Sequence, residues 1–176
     1  MRIEREQAIA LAIDYQERLV PVMDRKTELI ENSGILLAGL RELGVPIVVT
    51  QQYTKGLGKT VQEIVEAIGS PEYVEKIRFS ACDVVEEKIH AKKYVIVCGV
   101  EAHICVLQTV IDLKSAGYIP VLVTDCISSR KAFDREMAVQ RAIQEGAVVT
   151  TCEALLFELL GEAGTAESKK IQRLVK

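Results

Sequence analysis

Short runs of apolar residues alternate along this chain with longer segments whose apolar residues recur at helical spacing. Strands that alternate with helices are typical of repeated β-α-β units built around a parallel sheet. The runs are continuously apolar rather than alternating with polar residues, which indicates strands buried on both faces. The pattern therefore predicts an α/β fold.

Six runs qualify as strands, and most of them are rich in β-branched residues. They are Ala8 to Ile13, Pro46 to Thr50, Tyr73 to Lys76 (the weakest), Tyr94 to Gly99, Ile119 to Thr124, and Ala147 to Thr150. Helical spacing covers Thr27 to Leu43, Val61 to Ile68, Asp83 to His90, Ile104 to Ala116, Asp134 to Gln144, and Glu153 to Leu160. The polar tail from Gly161 is either a frayed end or an arm that docks on another subunit.

The length of the chain and its proportions of apolar and charged residues predict one domain over residues 1–176. Of its 176 residues 49% are apolar and 27% charged, which suits a single sizeable core. A net charge of −3 provides no global positive field, so we expect no nucleic-acid partner. No apolar run approaches the ~18 residues that a membrane span needs. The N-terminus also lacks the order of a signal peptide, so we expect a cytoplasmic protein without membrane contact.

The glycines near residue 58 invite a nucleotide-binding interpretation that the spacing rejects. A phosphate loop needs a glycine at position 53, which is Tyr53. A dinucleotide fingerprint needs one at position 61, which is Val61. We therefore interpret Gly56 to Thr60 as a loop over the sheet edge.

The five cysteines are an odd number without a Cys-x-x-Cys pair, so neither a disulfide framework nor a zinc site is indicated. Cys105 falls in the first turn of a predicted helix, where free N–H groups and the helix dipole stabilise a thiolate nucleophile. The alternative is a core residue on the same apolar helix. Cys126, after Asp125 at a strand end, is the only serious rival for reactivity.

Two charged residues also lie at strand ends, where open parallel sheets bind ligands. Asp14 follows a buried strand, where a carboxylate must be solvated, paired with a cation or part of a functional site. The alternative is a turn or cap residue. Lys76 ends the weak third strand and could keep a thiolate and a carboxylate charged, although an isolated lysine there is more often a surface residue. His103 lies two residues before Cys105 and would not face it on a regular helix.

Together these segments resemble the isochorismatase-like cysteine hydrolase superfamily over nearly the whole chain. The matching motifs are Asp14-Tyr15-Gln16, Lys76-Ile77-Arg78-Phe79-Ser80-Ala81, and Gly99-Val100-Glu101-Ala102-His103-Ile104-Cys105-Val106. The resemblance implies a three-layer α/β/α, Rossmann-like fold with a mainly parallel six-stranded sheet. It also implies a catalytic triad with Asp14 as base, Cys105 as nucleophile and Lys76 as electrostatic partner.

The resemblance further implies an oxyanion hole formed by the backbone N–H groups of Glu101 and Cys105, with a cis peptide between Val100 and Glu101. The stretch from Thr50 to Gly58 is similar to the metal-free branch and lacks the Asp-x-His ligands of nicotinamidases. We therefore expect no metal and no cofactor, and nicotinamide is disfavoured as the substrate. Gln16 and Tyr53 are expected to line the substrate pocket, with Phe79 as an apolar wall.

Three functions remain open at this stage. The first is hydrolysis of a C–N bond in a small amide, imide or carbamoyl compound; true isochorismatases lack a cysteine at the nucleophile position. The second is a catalytically silent binding or scaffold module. The third is thiol redox sensing through Cys105 and Cys126. Exposed apolar residues on the tail and late helices also favour a homo-oligomer.

Overall fold

The computed structural model describes every residue from Met1 to Lys176 and contains one six-stranded sheet. All neighbouring strands pair in parallel, in the order β3-β2-β1-β4-β5-β6. The strands are β1 (Ala8–Ile13), β2 (Ile47–Gln52), β3 (Glu72–Lys76), β4 (Tyr94–Val100), β5 (Ile119–Ser128) and β6 (Val148–Thr150). The prediction of a parallel sheet with helices between its strands is confirmed.

Helices cover both faces of the sheet. They are α1 (Lys26–Glu42), α2 (Thr54–Leu57), α3 (Gln62–Ile68), α4 (Cys82–Ile89), α5 (Leu107–Ser115), α6 (Ala132–Gln144), α7 (Cys152–Leu160) and α8 (Ala166–Leu174). Helices α1, α3, α7 and α8 lie on one face, and α4, α5 and α6 lie on the other. The result is the expected α/β/α sandwich.

The core divides into two apolar clusters, one on each face of the sheet, and β1 contributes to both. Its alternate residues Ala8, Ala10 and Ala12 face the α1 side, and the intervening Ile9, Leu11 and Ile13 face the α5 side. Every residue of β1 is buried. A strand buried on both faces has no polar side, which explains the continuous apolar run in the sequence.

The strand order reverses direction between β1 and β4. From β1 the chain adds β2 and β3 on one side, and then crosses to place β4, β5 and β6 on the other. In open parallel sheets a crevice forms at this reversal, outside the carboxyl ends of the strands. Gly99 near the end of β4 has φ +147°, and a Cβ there would lie 2.3 Å from the Ile13 carbonyl oxygen. The two strand ends therefore approach more closely than any other residue would allow.

Several boundaries differ from the sequence predictions. Strand β5 continues to Ser128, and α5 begins at Leu107 because a π-helical turn occupies Ala102–Val106. The tail is not frayed. It forms α8, which packs on its own chain through the buried Ile171 and an ion pair of 2.6 Å between Lys170 and Glu42.

Candidate active site

Asp14 occupies the first position after β1 and is completely buried. Its backbone is in the left-handed region, with φ +56°, a conformation that aspartate tolerates better than most residues. Thr50 of β2 donates a hydrogen bond from Oγ1 to Asp14 Oδ1 at 2.7 Å. The neighbouring strand therefore fixes the orientation of this carboxylate at the crevice.

Lys76 is the last residue of β3 and is also buried, with 2% of its surface exposed. Its Nζ lies 2.7 Å from Asp14 Oδ2, but this contact is an ion pair without good hydrogen-bond alignment. The N–H groups of Lys76 are directed instead to Gln52 Oε1 at 2.6 Å and to the Phe79 carbonyl oxygen at 2.8 Å. The ion pair is therefore buried, and hydrogen bonds to protein oxygens replace water around the Lys76 ammonium group.

Cys105 lies in the π-helical turn after β4 and is 5% exposed. Burial raises the pKa of the Cys105 thiol to about 12; the nearby Asp14 charge also raises it, and Lys76 lowers it. This upward shift of the pKa is opposite to the thiolate expected from the sequence, and the contribution of the helix terminus stays a prediction. Desolvation and the Asp14 charge together outweigh Lys76, and this balance favours the protonated thiol.

The chain between β4 and the π-helical turn contains no cis peptide bond, so the expected cis bond between Val100 and Glu101 is wrong. Glu101 instead turns the chain through a left-handed conformation, with φ +54°. Its carbonyl oxygen accepts a hydrogen bond from the Ile104 N–H at 2.8 Å, while its own N–H has no partner. A free donor is thus present at the predicted oxyanion position, and its role and that of Cys105 N–H stay predictions.

The three predicted pocket residues differ in what they can offer a ligand. Gln16 is fully buried, and its amide contacts the backbone of Gln52 (2.7 and 3.0 Å) and the carbonyl oxygen of Gly58 (2.7 Å). It therefore joins β1, β2 and the loop after α2. Tyr53 and Phe79 expose 50% and 54% of their surface beside the strand ends. Their contact with a substrate stays a prediction.

Sequence reasoning missed two polar residues of β2 that organise the pair. Thr50 donates to Asp14, and Gln52 accepts from Lys76, so two side chains of one strand hold the carboxylate and the ammonium group. They are two residues apart and therefore point to the same face of the sheet. The sequence did contain a signal for them, because polar residues at alternate positions lie at the end of a buried strand.

Cys126, the proposed rival nucleophile, lies on the other face of the sheet. It is fully buried and packs with Cys98 and Cys152 in the α1-side cluster, whereas Cys105 belongs to the α5-side cluster. Burial raises the pKa of the Cys126 thiol well above its ordinary value. The two thiols therefore lie on opposite faces of the sheet, which does not favour a disulfide between them, and redox sensing stays a prediction.

The structure also bears on two further classes of site, metal centres and membrane spans. No group of three or more His, Cys, Asp or Glu side chains is arranged to hold a metal ion. None of the helices is long and apolar enough to cross a membrane. The absence of a metal or cofactor from the reaction itself stays a prediction.

Comparison with known proteins agrees with the fold. The protein is 36% identical to isochorismatase domain-containing protein 1 of Salmo salar over 167 residues, covering 93% of this chain but 59% of that protein. It is 34% identical to the secreted isochorismatase effector Isc1 of Phytophthora sojae (strain P6497), covering 99% of this chain and 87% of the effector.

Among solved structures, MAR1 ribonuclease from Caenorhabditis elegans superposes with a TM-score of 0.94 at 35% identity, covering 99% of this chain and 92% of that one. The family model described as the isochorismatase domain matches residues 8–154, which include all three site motifs. The chain therefore belongs to the isochorismatase family.

Proposed function

We propose that this protein is a cysteine hydrolase that cleaves the C–N bond of a small amide, imide or carbamoyl compound through a thioester intermediate. One observation carries the proposal: a buried Asp14–Lys76 ion pair lies against the Cys105 thiol at the reversal point of the sheet. Burying an ion pair costs free energy that packing alone does not require. Titratable groups with perturbed properties in a crevice are typical of catalytic sites.

In the first step, Asp14 accepts the thiol proton while the sulfur of Cys105 attacks the substrate carbonyl carbon. The carbonyl oxygen becomes an oxyanion, which the free N–H of Glu101 is suited to receive. Because the pKa of Cys105 is about 12, we expect proton transfer to accompany the attack rather than precede it. Lys76 stabilises the negative charge that the sulfur gains in this step.

In the second step, the protonated Asp14 gives its proton to the nitrogen of the leaving group, and the C–N bond breaks. The products at this point are an amine or ammonia and a thioester on Cys105. Asp14 then removes a proton from water, which attacks the thioester carbonyl carbon. The acid leaves, and Asp14 returns its proton to the sulfur, so that the enzyme returns to its starting state.

The burial of the site favours a small substrate. Asp14, Lys76 and Cys105 each expose 5% of their surface or less, so a reactive group must enter a narrow opening. The solved relative described as a ribonuclease makes RNA the polymer to test. A net charge of −3 opposes binding to a phosphate backbone, which supports small molecules over RNA.

The test is ammonia release from a panel of small amides, imides and carbamoyl compounds, with RNA cleavage measured in parallel. We expect turnover on at least one small compound. Cys105→Ala and Asp14→Asn should each lower kcat by about 1,000-fold or more, and the double variant should be no worse, because the residues act as one unit. Cys82→Ala is the matched control: this thiol is also buried on the α5 side but outside the triad, and its loss should leave kcat unchanged.

Three results would overturn the proposal. Turnover that survives in Cys105→Ala would remove the nucleophile from the reaction. RNA cleavage that depends on Cys105, without turnover of any small compound, would replace the substrate class. Tight binding of a small compound without turnover in any condition would favour the binding or scaffold module.

A further inference from the structure

We propose that Glu101 is a positioning residue whose buried carboxylate, held by Arg130, fixes the backbone of the nucleophile turn. The nucleophile turn is defined here as Glu101 together with the π-helical turn Ala102–Val106. This inference rests on the proposed function, because it assigns the Glu101 side chain to the same reaction. It concerns the side chain of Glu101, whereas the oxyanion role concerns its backbone N–H.

The backbone of Glu101 needs an external constraint. A residue with a Cβ rarely adopts φ +54°, and such conformations persist only where the surroundings hold them. The carboxylate provides this constraint through an ion pair of 2.7 Å between Glu101 Oε1 and Arg130 Nε. Arg130 follows β5, so the pair joins the nucleophile turn to the end of the neighbouring strand.

A second contact joins the same two segments. His103 Nδ1 lies 2.9 Å from the hydroxyl of the fully buried Ser129, the residue before Arg130. The same nitrogen is 3.6 Å from Glu101 Oε2, and His103 Nε2 is 4.0 Å from an Asp134 carboxylate oxygen on α6. The His103 imidazole is therefore directed to the segment after β5, beside the Glu101–Arg130 ion pair.

The burial of the Glu101–Arg130 pair is unequal. The Glu101 side chain is 9% exposed, and its Oε2 has no hydrogen-bond donor, whereas the Arg130 side chain is 56% exposed. Loss of Arg130 would leave a buried carboxylate without its cation, which is strongly unfavourable. Loss of the Glu101 charge would leave a cation that water can solvate. The two substitutions should therefore have unequal effects.

The test compares Glu101→Gln, Arg130→Met and the double variant. We expect Arg130→Met to lower kcat by about 10- to 100-fold while KM changes by less than about threefold, because the turn is displaced but substrate contacts are kept. Glu101→Gln should lower kcat less, and the double variant should recover part of the loss of Arg130→Met. Arg141→Met, which breaks an exposed pair with Glu145, is the matched control and should leave kcat unchanged.

Hydrogen exchange of the amides from Ala102 to Val106 provides a readout that needs no substrate. We expect faster exchange there in Arg130→Met and unchanged exchange in Arg141→Met. If no amide is turned over by the unaltered protein, the proposed function fails, and the exchange rates still decide whether Arg130 holds the turn. Unchanged exchange in Arg130→Met would overturn the inference. A raised KM with unchanged kcat would also overturn it, because Arg130 would then bind the substrate directly.

Discussion

Lys76 compensates the buried negative charge of Asp14. Its Nζ lies 2.7 Å from Asp14 Oδ2 and also donates to Gln52 Oε1 and the Phe79 carbonyl oxygen. We predict that Lys76→Met destabilises the protein by about 3–5 kcal/mol, because it leaves an unpaired buried carboxylate. Urea denaturation measures this loss, and Lys76→Met combined with Asp14→Asn should lose less than Lys76→Met alone.

A surface lysine supplies the control for that prediction. Lys88 pairs with Glu72 across partly exposed side chains. Lys88→Met should change the free energy of unfolding by about 0–1 kcal/mol. Equal decreases in the free energy of unfolding for Lys76→Met and Lys88→Met would show that the buried ion pair contributes no more than the exposed one.

Residue types at strand ends made Asp14, Lys76 and Cys105 candidates, because a parallel sheet brings its carboxyl ends to one edge, and the family resemblance then implied their roles. The protonation state of Cys105 was not predictable in the same way. It depends on burial and on the Asp14 charge, which the fold alone brings to the thiol.

At the scale of elements, the close approach of β4 to β1 makes Gly99 indispensable. A Cβ at this position would lie 2.3 Å from the Ile13 carbonyl oxygen and 2.7 Å from the Ile13 Cβ. We predict that Gly99→Ala costs about 3 kcal/mol or prevents folding, because backbone atoms would have to move. Thermal or urea unfolding provides the measurement.

Gly34 in α1 is the matched glycine for comparison. An added Cβ there meets no atom within 4 Å, and the residue lies within a regular helix. Gly34→Ala should therefore stabilise the protein by about 0.5–1 kcal/mol. Destabilisation by both substitutions in equal measure would contradict the close approach at Gly99.

All six strands were predicted from the sequence, and the central strands β1 and β4 most clearly, because a strand buried on both faces leaves a continuous apolar run. The periodicity of the sequence did not predict the π-helical turn at Ala102–Val106, since the apolar spacing there is compatible with an ordinary helix. Nor did it predict α2, whose four residues carry too little pattern to identify a helix. Short irregular elements depend on tertiary contacts rather than on local spacing.

At the scale of the whole molecule, the strand order places the three predicted catalytic residues at the reversal of the sheet. Helix α8 lies outside the matched family region and packs on α1, and an ion pair of 3.0 Å between Arg5 and Glu167 ties it to the N-terminal segment. The polar tail gave no such indication because α8 buries only one narrow apolar stripe. The cytoplasmic location, the homo-oligomer and the single domain stay predictions.

The measurement that tests the central claim most directly is the rate at which iodoacetamide labels Cys105 from pH 5 to 9, followed by peptide mass. With a pKa of about 12, about one thiol in ten thousand is ionised at pH 8, so labelling should be slow and rise about tenfold per pH unit. Asp14→Asn removes the charge that raises the pKa and keeps Lys76, which lowers it. Labelling at pH 8 should therefore become faster although turnover is lost. Labelling that is unchanged or slower in Asp14→Asn would contradict the coupling of Asp14 to Cys105.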